Sequence, residues 1–272
     1  MTFGLLGYPL SHSFSRPYFT EKFARLGLSN THQYLNFEME DVAGFQELRT
    51  QYPDLRGCNV TIPHKQAIIP YLDALDPVAA RIGAVNCIRF DAAGRSTGFN
   101  TDYFGFRDDL LHHLREWNWT ERAFGLPTND DLLNTFLEES SALVLGTGGA
   151  SLAVHEALRE LGMSTLGVSR TPGPGQISYE QITPDLLLDY HFIINTTPLG
   201  MAPKVDGCPA LPYAALGPAH FCYDLVYNPA VTRFLEQSRN AGAAVANGQG
   251  MLERQAEAGW KIWENTGGVK LS

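Results

Sequence analysis

The chain has 272 residues, enough for one large domain or two moderate ones. Its 44% hydrophobic and 18% charged content is that of a globular protein with a substantial core, not a disordered or fibrous chain. The formal net charge of −9 argues against nucleic acid or an anionic membrane surface as main partner, so an anionic ligand must be drawn in by local cations.

In chain order, residues 3–6 read as a short strand. The opening Thr2-Phe3-Gly4-Leu5-Leu6-Gly7 carries no basic leader and meets Pro9 too soon for a signal peptide. No apolar run has the length of a bilayer span. A cytoplasmic protein with no membrane contact is expected. Next comes Ser11-His12-Ser13-Phe14-Ser15, ahead of a helix at 17–26. Its hydroxyls can hold a carboxylate through neutral hydrogen bonds, or one serine simply caps the helix.

Strands at 34–37 and 58–62 flank a helix at 42–52. On a strand, Asn59 and Thr61 alternate onto one face. Lys65 follows Pro63 in a turn; partly desolvated in a cleft it can donate a proton, whereas on an open surface it is only a solvated charge. His64 reads as a packing or hydrogen-bonding residue. Segments 84–90 and 96–99 form a hairpin about Gly94. It carries Asn86, an amide in an apolar strand that needs partners from backbone or ligand. Asn100-Thr101-Asp102 closes the hairpin, and Asp102 either caps the helix at 102–117 or serves chemistry. The acidic stretch 118–140, broken by Gly125-Leu126-Pro127, reads as a surface excursion with at most one short helix at 131–137.

From Ser141 the pattern is strand, glycine turn, helix, strand. The apolar run 142–145 leads into Gly146-Thr147-Gly148-Gly149-Ala150-Ser151. Gly146 permits the tight turn, and Gly148 and Gly149 let backbone approach a pyrophosphate at the positive end of the next helix. NAD sites usually place an acid at the end of the second strand. Here stand Val168, Ser169, Arg170 and Thr171, and an arginine between hydroxyls suits a 2′-phosphate, so the expected cofactor is NADP. Strands follow at 192–196, 220–226 and 243–246, then a helix at 251–264. The loop Asn195 to Met201, with Thr196 and Thr197, lies where a nicotinamide is lined. Tyr223-Asp224 to Tyr227-x-Pro229 and Gly248 to Gln255 complete the polar clusters, Gln255 lying one helical turn after Met251. The four cysteines have no paired spacing, so no metal site is expected.

Alternating elements imply an α/β protein. We expect an N-terminal α/β domain (1–104) rejoined by the terminal helix (248–272), a Rossmann-like doubly wound domain (105–247), and a ligand cleft between them.

These motifs, in this order, resemble the shikimate dehydrogenase family. They are Gly7-x-Pro9 with Ser13-x-Ser15, Asn59-Val60-Thr61-x-Pro63-x-Lys65, Gly83-Ala84-Val85-Asn86, Asn100-Thr101-Asp102 and Gly146-x-Gly148-Gly149. Ser169-Arg170-Thr171, Asn195-x-Thr197 to Gly200-Met201, Tyr223-Asp224 to Tyr227-x-Pro229 and Met251-Leu252-x-x-Gln255 continue the series. The resemblance implies NADPH-dependent reduction of 3-dehydroshikimate to shikimate, on the way to aromatic amino acids, by a monomer or homodimer. It implies that Lys65 and Asp102 are catalytic and that Ser13 and Ser15 bind the substrate carboxylate. Asn59, Thr61, Asn86, Asp102 and Gln255 would hold the hydroxyls, with Tyr227 near substrate and nicotinamide. Cofactor contacts would come from Gly146, Gly148, Gly149, Ala150, Ser169, Arg170, Thr171, Thr196, Thr197, Met201 and Gly248.

The chain departs from the family pattern in three places. Arg16 follows the second serine, Tyr103 replaces a glycine after the Asn-Thr-Asp triplet, and Pro172-Gly173-Pro174-Gly175 follows Thr171 without a second cation. The last departure keeps open a quinate or shikimate dehydrogenase with relaxed NAD/NADP use. A non-catalytic NADP-binding regulator is the remaining alternative, disfavoured because Lys65 and Asp102 are both retained.

Overall fold

The computed structural model describes residues 1–10, 13–127 and 129–264. It resolves two compact units: Met1–Thr101 together with the chain from Ala256 onward, and Asp102–Gln255.

The first unit contains β1 (Thr2–Gly7), α1 (Ser15–Arg25), β2 (Gln33–Glu38), α2 (Phe45–Gln51), β3 (Leu55–Val60), β4 (Ala74–Leu75), α3 (Pro77–Ile82), β5 (Cys87–Phe90) and β6 (Ser96–Phe99). They form one mixed sheet in the order β2-β1-β3-β5-β6-β4. β1 runs parallel to β2 and β3, while β5 is antiparallel to β3 and β6. Side chains alternate across β1, so Leu6 joins a core with Phe37, Phe45, Val60 and Ile88. Phe3 and Leu5 join the core on the other face with Phe19, Phe23, Tyr34, Trp260 and Trp263. The two tryptophans come from the last turns of the terminal helix, and Trp263 Nε1 donates to the Ile88 carbonyl at 3.0 Å. Burial of each such ring is worth on the order of 2–3 kcal/mol.

The second unit holds α4 (Thr101–Glu116), α5 (Trp119–Phe124), α6 (Asp130–Glu138), β7 (Ser141–Leu145), α7 (Gly149–Glu160), β8 (Ser164–Val168), β9 (Gln176–Ile177), α8 (Pro184–Leu187), β10 (Phe192–Asn195), β11 (Phe221–Asp224), α9 (Arg233–Asn240), β12 (Ala244–Asn247) and the start of α10 (Gln249–Glu264). Its sheet is parallel throughout, in the order β12-β11-β10-β7-β8-β9. Counted from β7 this is the 3-2-1-4-5-6 order of a doubly wound dinucleotide fold, with its switch point between β7 and β10. No helix among the described residues is long and apolar enough to cross a membrane.

Three local expectations need correction. Segment 118–140 is not a surface excursion. Its two helices cover the N-terminal ends of two strands: Trp119 packs edge-on to Phe192 at 5.1 Å and to Phe221 at 5.6 Å, and Leu133 and Leu137 are buried. The acids of α6 mask an apolar pair one turn apart. The strand expected at 58–62 is β3, which ends at Val60, so Thr61 follows the strand instead of continuing its alternation. Asn86 lies one residue before β5, not within it. Helices α3 and α9 were not anticipated at all; α9 starts on Thr232, whose hydroxyl caps it, and turns Phe234, Leu235 and Ser238 inward.

Candidate active site

The second unit builds its site at the C-terminal ends of its strands. After β7 the chain turns at Gly146, whose φ is +104°. A Cβ there would stand 2.8 Å from Thr196 Oγ1, so glycine satisfies both the backbone and the close approach. Thr196 is fixed by its hydroxyl and its N–H, which both donate to the Leu145 carbonyl, at 2.7 and 2.9 Å. Gly148 is the N-cap of α7 in extended conformation, with no side chain capping the helix. The N–H groups of Gly149 and Ala150 lie at the positive end of α7 with no intrahelical acceptor, whereas those of Ser151 and Leu152 donate to the Gly148 carbonyl, at 3.0 and 3.4 Å. A Cβ on Gly148 would meet no described atom within 4 Å, so the protein's own packing does not require that glycine.

At the end of β8, Ser169 Oγ donates to the Thr171 carbonyl and accepts the Thr171 N–H, at 3.1 and 3.2 Å. This small turn leaves Arg170 exposed. Burial pushes the Tyr179 phenol up, and the Arg170 charge opposes that shift. No acid occurs from 168 to 175, and an exposed cation there fits a 2′-phosphate.

After β10, Asn195 Oδ1 accepts from both the N–H and the hydroxyl of Thr197, at 3.1 and 2.7 Å. Met201 is exposed in the following turn. Tyr227 is half-buried, and burial raises its phenol. Gly248 is buried, and a Cβ on it would collide with the Leu225 carbonyl, so its glycine serves backbone packing.

In the same unit, α4 and α10 cross at Gly105, where a Cβ would lie 2.6 Å from the Met251 carbonyl oxygen and 2.9 Å from Gln255 Cβ. Asp102 sits one turn earlier on α4, buried and in the helix's first turn, where the dipole favours a carboxylate. It is a first-turn residue and not the cap.

The first unit brings another group together. Ser15, the first residue of α1, is among the groups that lower the Tyr34 phenol, against the larger upward effect of burial. Tyr34 in turn donates to Asn59 Oδ1 at 2.7 Å. Burial holds the Tyr34 phenol far above its usual value, so it remains a donor. The Asn86 carbonyl accepts from the Val60 N–H at 2.8 Å and from Asn59 Nδ2 at 3.4 Å. The Asn86 amide reaches Thr101: Nδ2 donates to Oγ1 at 3.0 Å, and Oδ1 accepts the Thr101 N–H at 2.6 Å. Asn59 and Asn86 are therefore one network. Tyr34 joins it and was missed, because a tyrosine within a strand reads as core.

Ser13 Oγ is buried with no hydrogen-bond partner among the described residues, an arrangement that costs on the order of 1–3 kcal/mol unless a ligand satisfies it. Ser11 and His12 lie outside the described residues. Thr61 is half-buried, its N–H donating to the Leu6 carbonyl at 2.9 Å. Lys65 is half-buried, and its carbonyl accepts the Val85 N–H at 2.7 Å, which ties its turn to the strand region. His64 Nε2 lies 2.6 Å from the Met39 carbonyl, a structural contact. Among the described residues no group of three His, Cys, Asp or Glu could hold a metal ion.

Comparison with known proteins gives one family. Residues 5–88 match the model of the shikimate dehydrogenase substrate binding domain. A shikimate dehydrogenase (NADP(+)) of Moorella thermoacetica is 36% identical over 95% of this chain and 86% of its own length. The solved shikimate 5-dehydrogenase of Thermus thermophilus, in complex with NADP(H) and shikimate, is 30% identical with a TM-score of 0.76, over 97% of this chain and 93% of that one. The enzyme from Listeria monocytogenes, solved with shikimate and NAD, is 27% identical with a TM-score of 0.74, over 97% and 91%.

Proposed function

The chain belongs to the shikimate dehydrogenase family, and from that premise we propose that it catalyses the reversible NADPH-dependent reduction of 3-dehydroshikimate to shikimate, a step of aromatic amino acid biosynthesis. The observation that carries this reading is the switch point of the parallel sheet. There Gly146, the α7 amides and Arg170 stand at the ends of β7 and β8, in a chain similar along nearly its whole length to NADP-dependent enzymes.

In this reading residues 105–247 hold NADP, and residues 1–104 with the terminal helix hold substrate. The amides of Gly148, Gly149 and Ala150, beside Gly146, would take the pyrophosphate, and Ser169, Arg170 and Thr171 the 2′-phosphate. Thr196, Thr197, Met201 and Gly248 would border the nicotinamide. When bound, the reduced nicotinamide supplies the hydride. Ser13 and Ser15 would bind the substrate carboxylate; the unpartnered buried Ser13 hydroxyl supports that role. Asn59, Thr61, Asn86, Asp102 and Gln255 would hold the hydroxyls, with Tyr227 near the substrate and the nicotinamide. The Lys65 ammonium stabilises negative charge growing on the ketone oxygen and delivers its proton, and the Asp102 carboxylate orients the lysine and the adjacent hydroxyl. A cytoplasmic monomer or homodimer is the matching setting, and free cysteines are what a reducing compartment allows.

A second reading, quinate or shikimate dehydrogenation with relaxed cofactor use, rests on the single exposed arginine and the uncharged 172–175 turn after it. One assay separates the two: oxidation of NADPH and of NADH, followed by absorbance with dehydroshikimate and with dehydroquinate. We expect NADPH with dehydroshikimate to be fastest. Comparable rates with NADH or dehydroquinate would favour the second reading, and no turnover with any pair would overturn both. In the same assay Lys65→Ala should lower kcat by roughly 10²–10⁴-fold, with shikimate affinity nearly unchanged.

A further inference from the structure

Asp224 closes β11 as a fully buried carboxylate directly beside Asn195, its register partner at the end of β10. It accepts hydrogen bonds from Asn195 Nδ2 at 2.9 Å, the Val226 N–H at 3.0 Å and Thr232 Oγ1 at 2.5 Å. Each bond anchors a different segment. Through Asn195, whose Oδ1 grips the N–H and hydroxyl of Thr197, the carboxylate holds the loop after β10. Through Val226 it holds the loop after β11, two residues before Asn228, whose carbonyl accepts the Ala202 N–H at 3.0 Å. Through Thr232 it reaches the start of α9, against which Gly200 packs so closely that a Cβ would stand 3.2 Å from Thr232 Cβ. A charge-bearing group is costly in such a place, and a neutral Asn or Ser would make an ordinary turn. A two-oxygen acceptor is what three convergent donors demand.

Resting on the function proposed above, we propose that Asp224 is a positioning residue for the cofactor: it fixes the two loops bearing Thr197, Met201 and Tyr227 so that they fit the nicotinamide end of NADP. It reaches the cofactor only through those loops. Its loss should therefore weaken dinucleotide binding and leave the Ser13–Asn59 side, in the other unit, as it was.

The test is calorimetric binding of NADPH and, separately, of shikimate to the full chain, for wild type, Asp224→Asn and Thr232→Val. Asp224→Asn keeps the shape but turns an acceptor into a donor facing donors, so its Kd for NADPH should rise about tenfold. Thr232→Val deletes one bond and should raise it about threefold, which keeps the test alive if the first variant folds poorly. Shikimate Kd should rise clearly less than that of NADPH in both, since of the proposed substrate contacts Tyr227 alone lies on these loops. A lower melting temperature with unchanged NADPH affinity in both variants would reduce Asp224 to a structural residue and overturn the inference. Equal weakening toward NADPH and shikimate would overturn it as well, since the effect would then not be local to the loops. Wild type that binds NADPH but reduces no dehydroshikimate would count against the proposed function alone, because the binding comparison still judges Asp224.

Discussion

Two of the buried aspartates of the second unit, Asp109 and Asp224, are 1% and 0% exposed, and their surroundings drive them in opposite directions. Asp109, on α4, is pushed up by burial, but hydrogen bonds from His113 and Tyr223, the charge of His113 and a charge-assisted hydrogen bond from Arg254 outweigh that and hold it below its ordinary value. Tyr223 Oη donates to its Oδ2 at 2.6 Å and Arg254 Nε to its Oδ1 at 3.2 Å. Asp224, at the end of β11, is pushed up by burial to about 6, with only neutral donors from Thr232, Val226 and Asn195 in opposition. Depth is nearly the same in both places. What differs is whether the partners bring charge or only dipoles, and that decides the ionisation. Asp109 is consequently a clasp, joining α4 to α10 and β11. Asp224 is an acceptor for loops.

The contrast predicts its largest effect at the clasp. Asp109→Ala strands the buried Tyr223 hydroxyl and leaves Arg254 without its carboxylate, at a cost of about 3 kcal/mol. Denaturant unfolding would measure it. A loss under about 1 kcal/mol would mean that the charges around Asp109 repay nothing beyond its desolvation.

The next effect is one of sign. Because the folded pKa of Asp224 is about 6 and an unfolded aspartate titrates near about 3.9, the folded chain holds the extra proton. Asp224's contribution to stability is therefore full below pH ~4 and is lost as pH rises to about 6, amounting to roughly 2–3 kcal/mol. For Asp109 the sign is reversed: its contribution is present above the ordinary carboxylate range and is lost as pH falls through its lowered value. Wild type should therefore lose stability relative to Asp224→Asn between pH 4 and about 6.5, read as a narrowing difference in unfolding free energy. A difference independent of pH over that window would refute the burial argument for Asp224.

The same contrast marks what a sequence can disclose. The switch-point half was legible because its signals are local: an apolar run, glycines at fixed spacing and an arginine where an acid might stand all fall between 142 and 170. The loop after β10 was legible for the same reason. Asp109 was not, since its partners Tyr223 and Arg254 lie more than a hundred residues away and α4 alone shows only one more acid on a helix. Tyr34 was hidden by its strand, where a tyrosine reads as a hydrophobic ring and only the fold aims its hydroxyl at Asn59. Segment 118–140 misled in the other direction: its acids describe the outer face of α6, while Trp119, Leu133 and Leu137 decide where the segment packs. Boundaries failed where the backbone departs from strand geometry, as at Thr61.

The smallest effect sharpens the contrast most, because it varies charge while leaving both carboxylates in place. Arg254 is 39% exposed, so its bond to Asp109 is partly screened, and Arg254→Ala should cost only about 1 kcal/mol at neutral pH. Tyr223 and His113 still reach Asp109 in that variant, so the clasp persists without one of its charges. The Asp109 carboxyl should then titrate higher, which moves the acid limb of the stability curve toward neutral pH. The limb belonging to Asp224 should not move, since Arg254 is not among the groups that shift it. Unfolding free energies of wild type and Arg254→Ala measured from pH 2.5 to 7, on the order of the carboxylate range and above it, would separate the two limbs. If the acid limb stays where it is in wild type, the charge of Arg254 is not what distinguishes Asp109 from Asp224, and the neutral donor Tyr223 together with His113 would have to account for the whole difference.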